Sequence, residues 1–118
     1  MADENQSEYE FLKSSPAFDG LSDQDIKTIL SKAKPMEVRG GEELFRQGDP
    51  GGTMYVITRG RVRVLLEDDT GEESLLNVLD RGAHFGELSM LIGSPRNATI
   101  KTVVDTDLLV LNLSLIHI

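Results

Sequence analysis

Apolar residues recur at helical spacing in one early segment of the chain. They follow an i, i+3, i+4, i+7 pattern, which gives an amphipathic helix a single apolar stripe. The positions that share this spacing are Ile26, Ile29, Leu30 and Ala33. Ser22 stands at the expected N-cap and Asp25 at the reciprocal position of a capping box. The pattern predicts a helix that begins after Ser22 and is ended by Pro35, with a shorter helical turn within residues 11–18.

After Pro35 the period of the apolar positions changes to that of β-strands. Short β-prone runs are separated by turn clusters at residues 48–52 and 68–71. From residue 61 to residue 64 arginine alternates with valine, which places the two residue types on opposite faces. Arg59, Arg61 and Arg63 could form a basic stripe, but a solvated strand face near Asp68 and Asp69 is the favoured interpretation. The predicted strands cover residues 54–57, 61–67, 74–79, 98–104 and 107–113. Many short strands predict a mainly β sandwich or barrel with Greek-key or jelly-roll connections.

Composition and charge narrow the classes of function. A chain of 118 residues suffices for one compact domain. The net charge of -8 and the pI of about 4.6 argue against nucleic-acid binding by this domain, but they allow one local positive pocket. The chain has no cysteine, which excludes disulfides and thiolate chemistry. No apolar run reaches the length of a membrane span and the N-terminus is acidic, so we expect a cytoplasmic protein with no membrane contact by this domain.

The stretch "FGELSMLIGSPRNAT", residues 85–99, carries the candidate chemistry. Gly86 permits close backbone approach, and a short helix beginning there would direct free N–H groups at an anion. Arg96 supplies a planar donor fork suited to phosphate oxygens, whereas Glu87 would accept hydrogen bonds from hydroxyl groups. A nucleotide or a sugar phosphate offers both groups. The alternative is structural, with Glu87 favoured by the helix dipole and paired with Arg96, and the residues alone leave both open.

The same stretch resembles the phosphate-binding cassette of cyclic nucleotide-binding domains, whose pattern is roughly F-G-E-[LI]-x-L-[LM]-x-x-x-P-R-x-A-[ST]. The matching residues are Phe85, Gly86, Glu87, Leu88, Met90, Leu91, Pro95, Arg96, Ala98 and Thr99, with Met90 in place of the usual leucine. Upstream, "GEELFRQGDPGGTMYVITRGRVRVLLED" is also similar to the family. Its Gly48, Asp49, Tyr55 and Gly60 stand where the family has turn glycines and a core aromatic residue. The resemblance covers roughly residues 9–112.

This resemblance implies an eight-stranded jelly roll with N-terminal flanking helices and a short cassette helix. It implies a 3′,5′-cyclic nucleotide as ligand. Arg96 would pair with the exocyclic phosphate oxygens and Glu87 would accept the ribose 2′-hydroxyl. The backbone N–H groups of Leu88, Ser89 and Ala98 would complete the phosphate cradle.

Base selectivity depends on Asn97 within this resemblance. Family members selective for cyclic GMP often carry threonine at this position, and those selective for cyclic AMP often carry alanine. Asparagine matches neither. Cyclic AMP is favoured on family frequency alone, cyclic GMP stays as the alternative, and a guanine-facing role for Asn97 or Thr99 stays open.

The resemblance also implies a regulatory sensor module whose covalently linked effector domain lies outside this chain, and it is compatible with a homodimer of the full-length protein. The sequence contains no nucleophile elbow, P-loop or catalytic-triad pattern, so we expect no enzyme. His84 and His117 lie far apart in the sequence, so we expect no metal and no other cofactor. The alternative function is a non-enzymatic jelly-roll interaction domain that has lost ligand binding.

The expected boundaries divide the chain into three parts. Residues 1–8 are expected to be a disordered tail, and residues 9–112 a cyclic nucleotide-binding domain that lacks the C-terminal lid helix. Residues 113–118, "LSLIHI", are expected to be a non-native tail. The codons CTG TCT CTT ATA CAC ATC would encode this peptide, and they resemble a transposon-adapter end used in sequencing libraries. The chain would then be a fragment whose native sequence diverges near Asn112, and a short genuine strand is the alternative.

Overall fold

The computed structural model describes Glu10, Lys13, residues 20–86 and residues 93–112. Their elements are helix α1 (Asp23–Lys32) and strands β1 (Lys34–Val38), β2 (Glu43–Phe45), β3 (Thr53–Arg59), β4 (Arg61–Glu67), β5 (Glu73–Asp80), β6 (His84–Phe85), β7 (Thr99–Thr102) and β8 (Thr106–Asn112). The strands form two four-stranded sheets with the orders β1-β8-β3-β6 and β2-β7-β4-β5, and every pair is antiparallel. The predicted mainly β jelly-roll fold is confirmed.

Helix α1 begins with the predicted capping box. Asp25 N donates to Ser22 Oγ at 3.1 Å, and Ser22 N donates to Asp25 Oδ2 at 3.2 Å. Two N–H groups that a helix start leaves without partners are satisfied in this way. The helix ends at Lys32, before the predicted stop, and Pro35 lies in β1 instead. This strand is at a sheet edge, where a residue without an N–H is tolerated.

The apolar stripe of α1 packs on the outer side of the first sheet's strands β3 and β8. Ile26 and Ile29 are buried there with Met54, Val56 and Leu111. Leu30 and Ala33 are partly buried against the same cluster, so the predicted helical stripe is confirmed.

A second cluster fills the space between the two sheets. Its buried side chains are Tyr55, Ile57, Val62, Phe85, Ile100 and Leu108, which come from both sheets. The alternation predicted for β4 is confirmed near its start, because Val62 is buried while Arg61 and Arg63 are exposed. Arg59 Nε lies 2.9 Å from Asp107 Oδ2. All three arginines are exposed to solvent, Arg59 on β3 and the other two on β4 of the second sheet.

Strands β1, β2 and β6 are additions to the predicted elements. β1 contains a proline and has four exposed positions in succession, while β2 and β6 have three and two residues. None of them carries an apolar alternation long enough to read from the sequence. The expected tail 1–8, the helical turn within 11–18 apart from Glu10 and Lys13, and residues 113–118 lie outside the described residues. Within the described segments, no helix has the length and apolar character needed to span a membrane.

Candidate functional site

A cavity of about 200 Å³ opens at one end of the core between the sheets. Phe45, Val64, Leu79 and Ile100 form an apolar wall, and residues 94–98 form much of the rest. His84, Phe85 and Gly86 complete the described lining. A mostly apolar cavity with a few polar groups is the usual form of a small-molecule site.

Arg96 enters this cavity from the segment that precedes β7, and oxygen atoms from two other parts of the chain hold it. Arg96 Nη1 donates to the Thr53 carbonyl oxygen at 2.8 Å and to the Gly86 carbonyl oxygen at 3.5 Å. Arg96 Nη2 donates to Thr53 Oγ1 at 2.9 Å. The guanidinium plane is therefore fixed at two points by a single residue of β3.

Aromatic rings lie against the face of the same guanidinium. Arg96 Cζ is 4.2 Å from the centroid of the Phe45 ring and 5.6 Å from that of Tyr55. Phe85 stacks on Tyr55 with a centroid distance of 5.2 Å and lies 6.0 Å from Phe45. Ring faces attract cations within about 6 Å. The aromatic cluster thus supports the guanidinium without neutralising its charge.

The charge of Arg96 is buried and has no counter-ion in the described part of the chain. The residue is 6% exposed, and no carboxylate among residues 20–86 and 93–112 lies within 4.0 Å of its nitrogen atoms. Its Nε–H has no hydrogen-bond partner among the same residues. Burial lowers the pKa of Arg96 from its ordinary value, and Tyr55 and Asp49 oppose this change. A buried cation is costly unless it is compensated, so this arrangement suits an anionic ligand.

A turn at residues 46–49 fixes the main chain of Arg96. Arg96 N donates to the Asp49 carbonyl oxygen at 2.8 Å, and Gly48 N donates to the Arg96 carbonyl oxygen at 2.8 Å. The turn is closed by Arg46 N, which donates to Asp49 Oδ2 at 2.9 Å. The backbone and the side chain of Arg96 are thus both held, which limits the positions available to its guanidinium.

Gly86 provides the space in which Arg96 is bound. Its φ of +86° favours glycine, and an added Cβ would lie 2.8 Å from Arg96 Nη1 and 2.9 Å from the Thr53 carbonyl oxygen. Any larger residue would therefore press on the hydrogen bond between them.

The structure brings four of the predicted site residues to the cavity: Gly86, Arg96, Asn97 and Ala98. Thr99 is fully buried behind them, and its Oγ1 accepts a hydrogen bond from Gln47 N at 2.9 Å. This hydroxyl is engaged with the main chain of the neighbouring turn. Glu87, Leu88 and Ser89 lie outside the described residues. In the part of the chain that is described, no group of three or more His, Asp or Glu residues could hold a metal ion.

Sequence reasoning did not identify Thr53 and Phe45 as site residues. Thr53 is 43 positions from Arg96 and belongs to a different sheet element. Neither a threonine at a strand start nor a partly apolar strand such as β2 signals contact with a distant arginine. Only the pairing of the two sheets creates the arrangement.

Comparison with known proteins gives a family match and related sequences. The model of the family described as cyclic nucleotide-binding domain matches residues 35–117. The chain is 36% identical over 100 residues to the cyclic AMP receptor protein of Thermus thermophilus, an alignment that covers 85% of this chain and 46% of the relative. It is 35% identical over 97 residues to a cGMP-dependent protein kinase of Drosophila melanogaster, which covers 80% of this chain and 10% of the kinase.

A solved structure extends the likeness to the fold. The regulatory domain of Toxoplasma gondii PKA, co-crystallised with cAMP, aligns with a TM-score of 0.86 and 28% identity, over 98% of this chain and 44% of that one. The chain spans less than half the length of the curated relatives it matches.

Proposed function

The chain belongs to the cyclic nucleotide-binding domain family, and from this premise we propose that it is a regulatory sensor domain that binds a 3′,5′-cyclic nucleotide, with cyclic AMP preferred to cyclic GMP. One observation carries the proposal. Arg96 is a buried cation at a cavity, without a carboxylate partner in the described part of the chain. The monoanionic phosphate diester of a cyclic nucleotide has the charge and the oxygen geometry that this guanidinium requires.

The donor arrangement of Arg96 supports a phosphate contact. The guanidinium has five N–H groups, and its hydrogen bonds in the structure involve only Nη1 and Nη2. Its Nε–H remains without a partner among the described residues. In the proposed complex this group and the second N–H of Nη2 donate to the exocyclic phosphate oxygens. Both groups lie on one edge of the planar fork, so two oxygens can be bound together.

The remaining ligand contacts extend the proposal to the segment after Gly86. Glu87 accepts the ribose 2′-hydroxyl, and the backbone N–H groups of Leu88, Ser89 and Ala98 donate to the phosphate. A carboxylate beside a phosphate is unfavourable unless it binds a hydroxyl, and the ribose supplies one. In this proposal Glu87 binds the ribose and Arg96 binds the phosphate.

The preference for cyclic AMP is supported by what two of the relatives bind by name. The Thermus relative is named a cyclic AMP receptor, and the Toxoplasma domain was solved with cAMP. The Drosophila relative is named for cGMP, so cyclic GMP is the ligand against which selectivity must be measured. Asn97, at the cavity, offers an amide that can both donate and accept, and it is the position at which we expect selectivity to change.

We place this domain in a longer regulatory protein. Relatives such as the cyclic AMP receptor protein and the cGMP-dependent kinase continue well beyond the aligned region. In this proposal the domain senses the nucleotide and a linked effector domain produces the output. Ligand binding then acts as a shift between two populations of the linked segments.

Calorimetry with cyclic AMP and cyclic GMP tests the proposal. We expect both to bind, cyclic AMP more tightly, and we expect Arg96→Ala to weaken binding by about 2–5 kcal/mol because it leaves a buried phosphate charge unpaired. Arg96→Lys keeps the charge but loses the fork, so its loss should be intermediate.

Arg63→Ala is the matched control, since Arg63 is an exposed arginine of β4 that does not line the cavity. Equal affinity for wild type and Arg96→Ala would contradict the proposal. Absence of any binding in a folded wild-type protein would favour the jelly-roll interaction domain instead.

A further inference from the structure

We infer that Thr53 is a positioning residue for Arg96, and that the affinity of the site for a cyclic nucleotide depends on the Thr53 hydroxyl although that hydroxyl does not bind the ligand. The inference rests on the proposed function and names the residue that prepares its central cation. Thr53 is not among the residues that line the cavity. Its effect on the ligand must therefore pass through the guanidinium.

The geometry of the two hydrogen bonds carries the inference. The Thr53 carbonyl oxygen accepts from Nη1 at 2.8 Å and Thr53 Oγ1 accepts from Nη2 at 2.9 Å. Two acceptors on one residue bind the two terminal nitrogens of the fork, so the plane of the guanidinium is fixed as well as its position. One bond alone would leave rotation about the bonded nitrogen. The hydroxyl is thus a second attachment point, and it fixes the orientation of the guanidinium as well as its position.

The orientation of the Thr53 hydroxyl is itself determined. A guanidinium can only donate, so Oγ1 must present a lone pair to Arg96 and direct its hydrogen elsewhere. That hydrogen is donated to the Tyr55 hydroxyl oxygen at 3.3 Å. Tyr55 is in turn held by stacking on Phe85. The chain of contacts therefore runs from an aromatic core residue through Thr53 to the cation.

The neutrality of the two acceptors has a further effect. A carbonyl and a hydroxyl oxygen fix the guanidinium without cancelling its charge. A carboxylate at the same place would hold Arg96 more tightly, but it would satisfy the cation before any ligand arrived. Thr53 thus combines firm positioning with a full positive charge for the phosphate.

Three single variants test the inference. Thr53→Val has nearly the same shape, fits a strand and keeps the backbone carbonyl, but it removes Oγ1. We expect it to bind cyclic AMP about tenfold more weakly, because the guanidinium would then be free to rotate and would have to be ordered when the ligand binds. Thr53→Ser retains the hydroxyl and should restore affinity to within about twofold of wild type.

Thr58→Val is the matched control on the same strand. Thr58 is also half-buried, and its Oγ1 donates to the Asp107 carbonyl oxygen at 3.2 Å, away from Arg96. Its loss should lower stability about as much as Thr53→Val does, with no change in affinity. Comparing the two variants separates positioning of Arg96 from a general effect on the fold.

The ³¹P chemical shift of bound cyclic AMP at saturation provides a readout that a purely structural role would not move. We expect this shift to change in Thr53→Val and to stay at the wild-type value in Thr53→Ser and Thr58→Val. Wild-type binding together with equal affinities and equal ³¹P shifts for Thr53→Val and Thr58→Val would overturn the inference and leave the proposed function intact. Failure of wild type to bind either cyclic nucleotide would instead overturn the proposed function.

Discussion

At the scale of single residues, the position of Arg96 depends on a glycine as much as on its hydrogen-bond acceptors. The Cα of Gly86 faces both partners of the hydrogen bond between Arg96 Nη1 and the Thr53 carbonyl oxygen. Gly82 has a similar φ of +91°, but an added Cβ there would meet nothing within 4 Å. The two glycines therefore share the conformational requirement and differ only in their contact with the site.

This difference leads to a paired prediction. Gly82→Ala should lower the free energy of unfolding by about 1 kcal/mol, because a positive φ is strained for any residue with a Cβ, and it should leave ligand affinity unchanged. Gly86→Ala should lower the free energy of unfolding further and should also weaken cyclic AMP binding, since its Cβ displaces the guanidinium. Urea unfolding and calorimetry measure the two effects. Equal affinities for the two variants would refute the steric role of Gly86.

Single residues also show which contacts could be predicted from the sequence. The local pattern around Arg96 left a phosphate site and a structural pair with Glu87 both open, and the resemblance of the cassette favoured the phosphate site. Thr53 was not predictable, since its role depends on the meeting of β3 with a segment 43 residues away. The capping box at Ser22 and Asp25 was predictable because both partners lie within one helical turn. A contact was thus predictable when its two partners lie close together in the sequence, and not when they lie far apart.

At the scale of elements, β5 differs from the other described strands in carrying three exposed large apolar side chains. It lies at the edge of its sheet and pairs only with β4. Leu75 and Leu76 are 59% and 60% exposed, and Val78 is 44% exposed. The pairing with β4 shifts after Val64, so that Leu76 has no residue directly opposite it. A long edge strand with exposed apolar side chains and no lysine or proline favours association between molecules.

We predict that Leu76→Lys reduces self-association without loss of stability. The side chain is exposed and has no partner in register, so its replacement should change the free energy of unfolding by less than about 0.5 kcal/mol. A charge on an edge strand opposes edge-to-edge pairing. Sedimentation velocity at increasing protein concentration measures the association, with Leu79→Lys as a buried-side comparison that should destabilise the fold. A wild-type protein that stays monomeric at high concentration would disprove the prediction.

The elements that the sequence predicts are those whose apolar pattern extends over enough residues to be recognised. Apolar runs or alternation mark helix α1 and strands β3, β4, β5, β7 and β8. The structure confirms these elements, with β4 at its predicted bounds and the ends of the other strands shifted by one or two residues. Strands β1, β2 and β6 exist because partners in the sheets hold them. Such short strands form because they pair with neighbouring strands, and this pairing leaves no pattern in the local sequence.

At the scale of the whole molecule, a net charge of -8 surrounds a cavity that contains a buried cation. The strand list alone predicted a sandwich or barrel, but the strand order that brings 94–98, β2 and β6 to one cavity came from the paired sheets. Long-range repulsion and short-range attraction therefore act on the same anionic ligand. The first is screened by salt and the second, being buried, is screened much less.

We predict that salt accelerates ligand association. Raising the ionic strength from about 0.01 M to about 0.15 M shortens the screening length from about 30 Å to about 8 Å, which should increase the association rate constant by about twofold. The dissociation rate should change less. Stopped-flow measurements with a fluorescent cyclic nucleotide test this, and Asp69→Lys, an exposed change away from the cavity, should reduce the salt effect. A rate constant that falls with salt would show that local attraction governs the encounter.

The register between β3 and β8 has a consequence for signal transmission. Thr53 and Asn112 are cross-strand partners, and such partners have Cα atoms about 5 Å apart. Thr53 also holds the guanidinium, so a single residue stands between Arg96 and the last residue of β8. In the proposed complex, a displacement of the guanidinium on phosphate binding would reach the end of β8 through this one intervening residue. Such a relay would require no rearrangement of either sheet.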